Sequence, residues 1–497
     1  MKTDLFPEDI RPHLLPEPGG DLGYDCLNCR SRLQPDRLYY TCPKCGGLLM
    51  LTDSQSERLS QKPGSFWRRL FDYRLMDNRQ AIRGVFTFHE FIAPLIPLED
   101  IIYLGEGHTP VVAAPPSLAK EVGASFYVKL DGLNPSASFK DRGMAAALSY
   151  LQYLTRSQGL TQVMAVCAST GDTSAAAALY AASLGGPVKS AVLLPRGRVT
   201  PQQLSQPLGS GAKVFELPGV FDDCMKVVEH LSERYQVTLL NSKNPWRVLG
   251  QESYAYEVAQ QFDYELGDLV IIVPVGNAGN ITAILSGLLK FYRFGLIDRL
   301  PKVIAVQSER ANPVFLYYSQ NQAERKYAPV TVRPSVAQAA MIGDPVSFPR
   351  LAALVEQYEK AAGTSFFVVE VTEEAIMEGM IQANRRGLPV CTQGGEGLAG
   401  LKTALAAGLI TPSETAVVDS TAHALKFMDF QNAYFDGRLA HEYGIPTRPE
   451  LTNRPQAVSI PGVLPDGHTK MSEDDHRKFV AAAAREIAAA LDLKESQ

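Results

Sequence analysis

From residue 163 onward the chain repeats one pattern: a short unbroken apolar run, then a longer Ala-, Leu- or Glu-rich stretch with helical spacing. The apolar runs fall at residues 163–168, 189–194, 213–217, 269–275, 303–306, 366–371 and 416–418. Runs of this length, bounded by turn residues and without polar alternation, predict strands buried on both faces. Strands alternating with helices predict parallel sheets covered on both sides, so the chain is expected to be α/β. Outside this region the pattern changes. Residues 54–78 are polar with helical spacing and predict a connecting segment. Residues 446–467 hold five prolines and few apolar runs, and a last helix is expected from Ser472, with Asp475 completing a capping pattern.

Composition narrows the class. The 497 residues are 45% hydrophobic, enough for a large core divided over two or three domains. Against 53 acidic residues stand 48 basic ones, a formal charge of −5, so neither nucleic acid nor an anionic membrane surface is an expected partner. A small anionic substrate would need a local basic site. The N-terminal stretch has no apolar h-region, and the longest apolar stretch, residues 269–289, is interrupted by Pro274, Gly276, Gly279 and two asparagines. Neither secretion nor a membrane span is expected, and a cytoplasmic location follows. Cys167, Cys224 and Cys391, scattered singly, fit reduced core residues.

The other four cysteines form Cys26-x2-Cys29-x12-Cys42-x2-Cys45. Two CxxC knuckles at this separation let four thiolates close a tetrahedron, and with no open position a structural zinc ribbon is expected. Arg30, Arg32, Arg37 and Lys44 are too few to make the ribbon a nucleic-acid reader on an acidic chain.

One lysine stands out. Asn134, Pro135 and Ser138 are turn and cap residues, whereas residues 143–151 are Ala- and Leu-rich with helical periodicity, so Lys140 is expected near a helix N-terminus. The positive end of the helix dipole and the neighbouring Phe139 both favour the neutral amine, which suits Schiff-base chemistry. Two strand-to-helix loops offer anion sites. Gly276-Asn277-Ala278-Gly279-Asn280 lets backbone N–H groups approach a phosphate at a helix start, although it is neither a Walker loop nor G-x-G-x-x-G. Cys167-Ala168-Ser169-Thr170-Gly171-Asp172-Thr173-Ser174 places hydroxyls and a glycine at another helix start.

In this order and spacing, these stretches resemble the fold-type II (tryptophan-synthase-β-like) pyridoxal-phosphate enzymes, and within them the threonine synthase family. Glu106-Gly107-His108-Thr109-Pro110 and Thr421-Ala422-His423-Ala424-Leu425-Lys426 are similar to signatures of that family, and the resemblance covers about residues 95–430. It implies pyridoxal 5′-phosphate as cofactor, with Lys140 as Schiff-base lysine and recurring acid/base and Phe139 beside it. Gly276, Asn277, Ala278, Gly279 and Asn280 would hold the cofactor phosphate, and the hydroxyl of Thr421 would face the pyridine nitrogen. Asp172 stands where the family often has Asn beside the cofactor's 3′-oxygen, and a carboxylate there would repel a phenolate unless one of the two holds a proton. His423 and Lys426 are assigned no catalytic work.

The resemblance also implies a substrate. Residues 241–247 read Asn-Ser-Lys-Asn-Pro-Trp-Arg, and Asn241, Ser242 and Arg247 match positions that bind the phosphate of O-phospho-L-homoserine, with Thr109, Ser169 and Thr170 on the carboxylate or the leaving phosphate. The implied reaction is that substrate plus water to L-threonine plus phosphate. Rivals are another lyase of the same fold acting on serine, threonine or phosphoserine, and a non-catalytic zinc-ribbon binding protein. The implied organisation has two open parallel-sheet domains: 96–145 with 256–440 as the large cofactor domain and 146–255 as the small one. Residues 1–53 would carry the ribbon, 54–95 a helical linker, and 441–497 a C-terminal arm and helix packing on the body. A homodimer is implied as well.

Overall fold

The computed structural model describes residues 5–160, 163–169, 171–197, 201–219, 221–235, 237–363, 365–458, 460 and 471–494. They divide into two compact units, residues 1–447 and 448–497.

The first unit holds three sheets. Near the start, β1 (Leu22–Cys26) pairs antiparallel with β2 (Arg32–Leu33) and β3 (Leu49–Asp53). A six-stranded sheet runs in the order β12-β11-β10-β13-β5-β4, from β4 (Val111–Ala113), β5 (Phe126–Lys129), β10 (Leu269–Pro274), β11 (Lys302–Ser308), β12 (Phe366–Val371) and β13 (Thr415–Asp419). A four-stranded sheet, β8-β7-β6-β9, is built from β6 (Val163–Ala168), β7 (Val188–Pro195), β8 (Lys213–Leu217) and β9 (Val237–Leu239). All its pairings are parallel, as are those of the larger sheet up to β5. The edge strand β4 is antiparallel to β5, so the larger sheet is mixed and not wholly parallel as expected.

Every apolar run expected to be a strand is one, with ends shifted by no more than a residue or two. The central strand β10 is buried at all six positions, as both-face coverage requires. The strands that pattern missed are short: β4 and β9 have three residues each, and β5 ends on the charged but fully buried Lys129. The connecting segment forms a helix over Gly64–Leu75. No helix among the described residues is long and apolar enough to cross a membrane.

In the second unit the Glu473–Ala490 helix begins as its sequence demands, with the Ser472 hydroxyl accepting from the Asp475 N–H at 3.2 Å.

Candidate active site

In an open parallel sheet, ligands gather where strand C-termini give way to loops. Three adjacent strands of the large sheet do this together. After β10 comes the loop 276–280, after β13 the segment 420–423, and after β5 the turn that leads into the Lys140–Ser157 helix. The last two are sewn to each other: the Phe139 N–H donates to the Thr421 carbonyl at 2.9 Å and the His423 N–H to the Ala137 carbonyl at 3.0 Å. Gly132 is required here, since a Cβ would lie 2.5 Å from the His423 nitrogen.

Lys140 is the first residue of its helix, with Phe139 at the cap position. Ser138, expected as a cap, makes no side-chain cap, and its buried hydroxyl has no partner. The Lys140 amine folds back over the Phe139 ring, 3.5 Å from its centre. Burial pulls the amine down to about 7, opposed by the Asp172 carboxylate and reinforced by the cations of Arg247 and Lys426. A substantial fraction is therefore an uncharged nucleophile at neutral pH.

The 276–280 loop has the shape of an anion cradle. Ala278 takes a left-handed conformation (φ 58°) as the residue before the Gly279–Arg293 helix, and a Cβ on Gly276 would sit 2.9 Å from the Ala340 Cα. Among the described residues, no hydrogen bond is donated by the N–H groups of residues 276–280. Asn277 is held through its carbonyl by the Ser347 N–H and through Oδ1 by the Val346 N–H. Asn280 donates to Asp419 at 2.8 Å and leaves its own Oδ1 unpartnered. Free amides at a helix start, a near-neutral lysine and orphaned buried oxygens on Ser138 and Asn280 fit a phosphorylated aldehyde cofactor.

Thr421, almost fully buried, stands at the end of β13 beside this loop. Asp172 opens the Asp172–Leu184 helix at the end of β6. Its carboxylate lies 2.7 Å from the Lys426 amine, which also donates to the Ser136 carbonyl at 3.0 Å. A carboxylate held by a buried ammonium is neutralised locally, which removes the repulsion expected against a phenolate. Lys426, to which the sequence assigns no catalytic work, is thereby the counter-charge of Asp172.

The small sheet contributes the other wall. β6 and β9 are neighbours, and their C-termini lead to Ser169 and to residues 240–247. Ser169 accepts from the Gly171 N–H at 3.1 Å, and Thr170 lies outside the described residues. Asn241 closes a local turn, its Oδ1 accepting from the Lys243 N–H at 3.1 Å. Ser242 follows on the same turn, partly buried. Arg247 sits in the Pro245–Gln251 helix, which approaches the lysine helix closely: a Cβ on Gly143 would lie 2.8 Å from the Arg247 carbonyl. Arg247 is 3% exposed with Nε unpartnered, and burial with no carboxylate to offset it lowers the pKa to about 10. A buried cation without a counter-charge is a site for an anion.

Thr109 is placed differently from expectation. Its hydroxyl donates to Asp131 at 2.7 Å and accepts from Arg142 at 3.0 Å, within a buried network in which Arg142 and Lys129 share Glu257. These two bonds tie the Thr109 hydroxyl to the network that holds the lysine helix. Sequence reading also passed over Glu106. Burial raises its carboxyl to about 8; Oε2 accepts from Tyr180 at 2.8 Å while Oε1 has no partner. Its place in the Glu-Gly-His-Thr-Pro stretch was the available signal.

At the other end, the sulfurs of Cys26, Cys29, Cys42 and Cys45 lie within 4.8 Å of one another. Cys26 to Cys45 is 3.5 Å and Cys29 to Cys42 is 3.6 Å, near the edge of roughly 3.8 Å that a tetrahedron of metal–sulfur bonds of about 2.3 Å would have.

Comparison with known proteins agrees with this geometry. The family model described as "Pyridoxal-phosphate dependent enzyme" matches residues 102–421. Threonine synthase of Methanocaldococcus jannaschii is 36% identical over 417 residues, 81% of this chain and 93% of that protein. Threonine synthase 2, chloroplastic, of Arabidopsis thaliana is 35% identical over 388 residues, 77% of this chain and 72% of that protein. Among solved structures, threonine synthase from Escherichia coli superposes with a TM-score of 0.61 at 21% identity, covering 86% of this chain and 93% of that one, a likeness of fold.

Proposed function

Because the chain belongs to the pyridoxal-phosphate dependent enzymes and, within them, to the threonine synthase family, we propose that it converts O-phospho-L-homoserine and water to L-threonine and phosphate. It is a carbon–oxygen lyase acting on a phosphate ester. The observation that carries the substrate is Arg247: a buried guanidinium with no carboxylate partner, beside the helix of a near-neutral lysine.

In this reading Arg247, Asn241 and Ser242 receive the substrate phosphate, and Ser169 and Thr170 take the carboxylate. Residues 276–280 would hold the cofactor phosphate on free backbone N–H groups, Thr421 would hydrogen-bond the pyridine nitrogen, and the Asp172–Lys426 pair would lie by the 3′-oxygen. When bound, the cofactor supplies an electron sink for negative charge developing on the substrate carbons. Lys140 removes the Cα proton, since an amine near neutrality is both a competent base and, once protonated, a competent acid. The same amine serves the Cβ proton that precedes loss of the γ-phosphate. Once the phosphate has left, the proton lost from Cβ is replaced at Cγ, water adds its hydroxyl at Cβ and gives up its proton, and Cα is reprotonated, which balances to L-threonine and phosphate. The tetrathiolate cluster takes Zn²⁺ as a structural ion. Residues 96–145 with 256–440 form the cofactor domain and 146–255 the small domain. A homodimer in the cytoplasm completes the proposal, its stoichiometry open to light scattering.

Phosphate release from phosphohomoserine, phosphoserine and serine is the direct test. Turnover of phosphohomoserine alone supports the reading, and faster turnover of serine or phosphoserine turns the assignment to a dehydratase or β-replacement enzyme.

A further inference from the structure

The cysteine ribbon grips the chain segment that carries the substrate-phosphate residues, at three points. At its start, the Leu239 N–H donates to the Tyr40 hydroxyl at 2.7 Å. In the middle, Arg350 donates to the carbonyls of Ser242 (3.3 Å) and Lys243 (2.9 Å) while its Nε donates to the Leu49 carbonyl of β3 at 2.9 Å. At its end, the Trp246 indole, next to Arg247, donates to the Tyr24 hydroxyl of β1 at 2.8 Å. The same indole stacks on Tyr150 of the lysine helix, ring centres 3.7 Å apart, and that tyrosine donates to the Pro35 carbonyl. Gln158, just past the end of that helix, donates to the Asp36 carbonyl at 2.6 Å.

The three contacts to that segment each lie close to a cysteine. Tyr24 precedes Cys26 by two positions, Tyr40 precedes Cys42 by two, and Leu49 opens the strand after Cys45. Three strands this short do not fix their own geometry, so a metal closing the four sulfurs sets where Tyr24, Tyr40 and Leu49 stand. The Arg247 guanidinium has little else to hold it: among the described residues its one hydrogen bond is to the Leu240 carbonyl at a long 3.4 Å.

We propose that the metal-loaded ribbon is a positioning device for the substrate-phosphate site, with Tyr24 and Tyr40 as positioning residues that hold residues 239–247 against the lysine helix. The proposal rests on the assignment of Arg247, Asn241 and Ser242 to that phosphate. It gives the ribbon a role in substrate affinity rather than in nucleic-acid or partner binding.

The test uses the cofactor-loaded protein and inorganic phosphate as probe. The chain has two tryptophans, so a Trp67→Phe background makes emission a report on Trp246 alone. Tyr24→Phe and Tyr40→Phe should each weaken phosphate binding and raise KM for phosphohomoserine about five- to tenfold, the scale of one lost hydrogen bond, with kcat changed less than twofold and metal content unchanged. Removing the metal with a chelator should shift Trp246 emission and weaken phosphate binding further. Unchanged phosphate affinity in both tyrosine variants overturns the proposal, whether or not the chelated protein stays folded. Arg247→Ala separates the two readings. If it weakens phosphate binding while the tyrosine variants do not, the ribbon idea alone fails; if it too has no effect, the phosphate site is elsewhere and both fall.

Discussion

The Lys426 amine lies 2.7 Å from the Asp172 carboxylate, both side chains almost completely buried, although one residue opens a helix of the small-sheet region and the other follows the last strand of the large sheet. On the proposed function, the pair explains how an aspartate is tolerated beside the cofactor's 3′-oxygen. Removing one partner of a buried pair costs about 3–5 kcal/mol because it strands the other charge, while removing both costs far less. Lys426→Met should therefore lower the unfolding midpoint and weaken cofactor binding, read by absorbance titration. Asp172→Asn in the same chain should recover most of the stability. Equal losses in the single and double variants would show that the two residues do not act as a pair.

Lys140→Ala should leave circular dichroism unchanged while abolishing both turnover and the visible absorbance of the cofactor-loaded protein. Wild-type turnover in that variant would remove Lys140 from its role.

The lowered pKa of Lys140 has a kinetic signature. In the cofactor-free protein, reaction with the cofactor aldehyde should accelerate with pH about a midpoint near 7 rather than 10.5. Between those values the folded protein binds fewer protons at this site than the unfolded chain, so the contribution of Lys140 to stability rises with pH across that window. A midpoint near 10 in stopped-flow measurements would contradict the buried, partly neutral amine.

Glu106 has the opposite sign. Its carboxyl is raised from 4.5 to about 8, so its favourable contribution is full below pH 4.5 and is lost as pH rises through 8. Glu106→Gln keeps the shape of the protonated side chain and should flatten the alkaline decline of thermal stability measured between pH 6 and 9. An unchanged profile would place the responsible group elsewhere.

Arg247→Ala should lower kcat/KM for phosphohomoserine by a factor on the order of 10²–10³, the equivalent of about 3–4 kcal/mol. Because Arg247 is buried without a carboxylate partner, the same change should not destabilise the fold by breaking an ion pair. Steady-state kinetics and thermal melts on one preparation separate the two effects.

What the sequence determined by itself is local. The apolar runs place seven strands because an unbroken buried strand writes its period into consecutive residues, and β10 and β11 show it most plainly. The glycine loop at 276, the lysine at a helix start and the paired CxxC knuckles are likewise legible, since a close backbone approach, a helix end or a tetrahedral ligand set restricts residue type at fixed spacing. Tertiary structure alone decided the rest. Nothing near Lys426 in the chain points to Asp172, and nothing near Thr109 shows that its hydroxyl belongs to Arg142 and Asp131. The grip of Tyr24 and Tyr40 on the Arg247 segment leaves no pattern in either stretch. A hydrogen bond or ion pair acts over about 3 Å of space whatever the separation along the chain, so its partners are named only when packing brings two loops together.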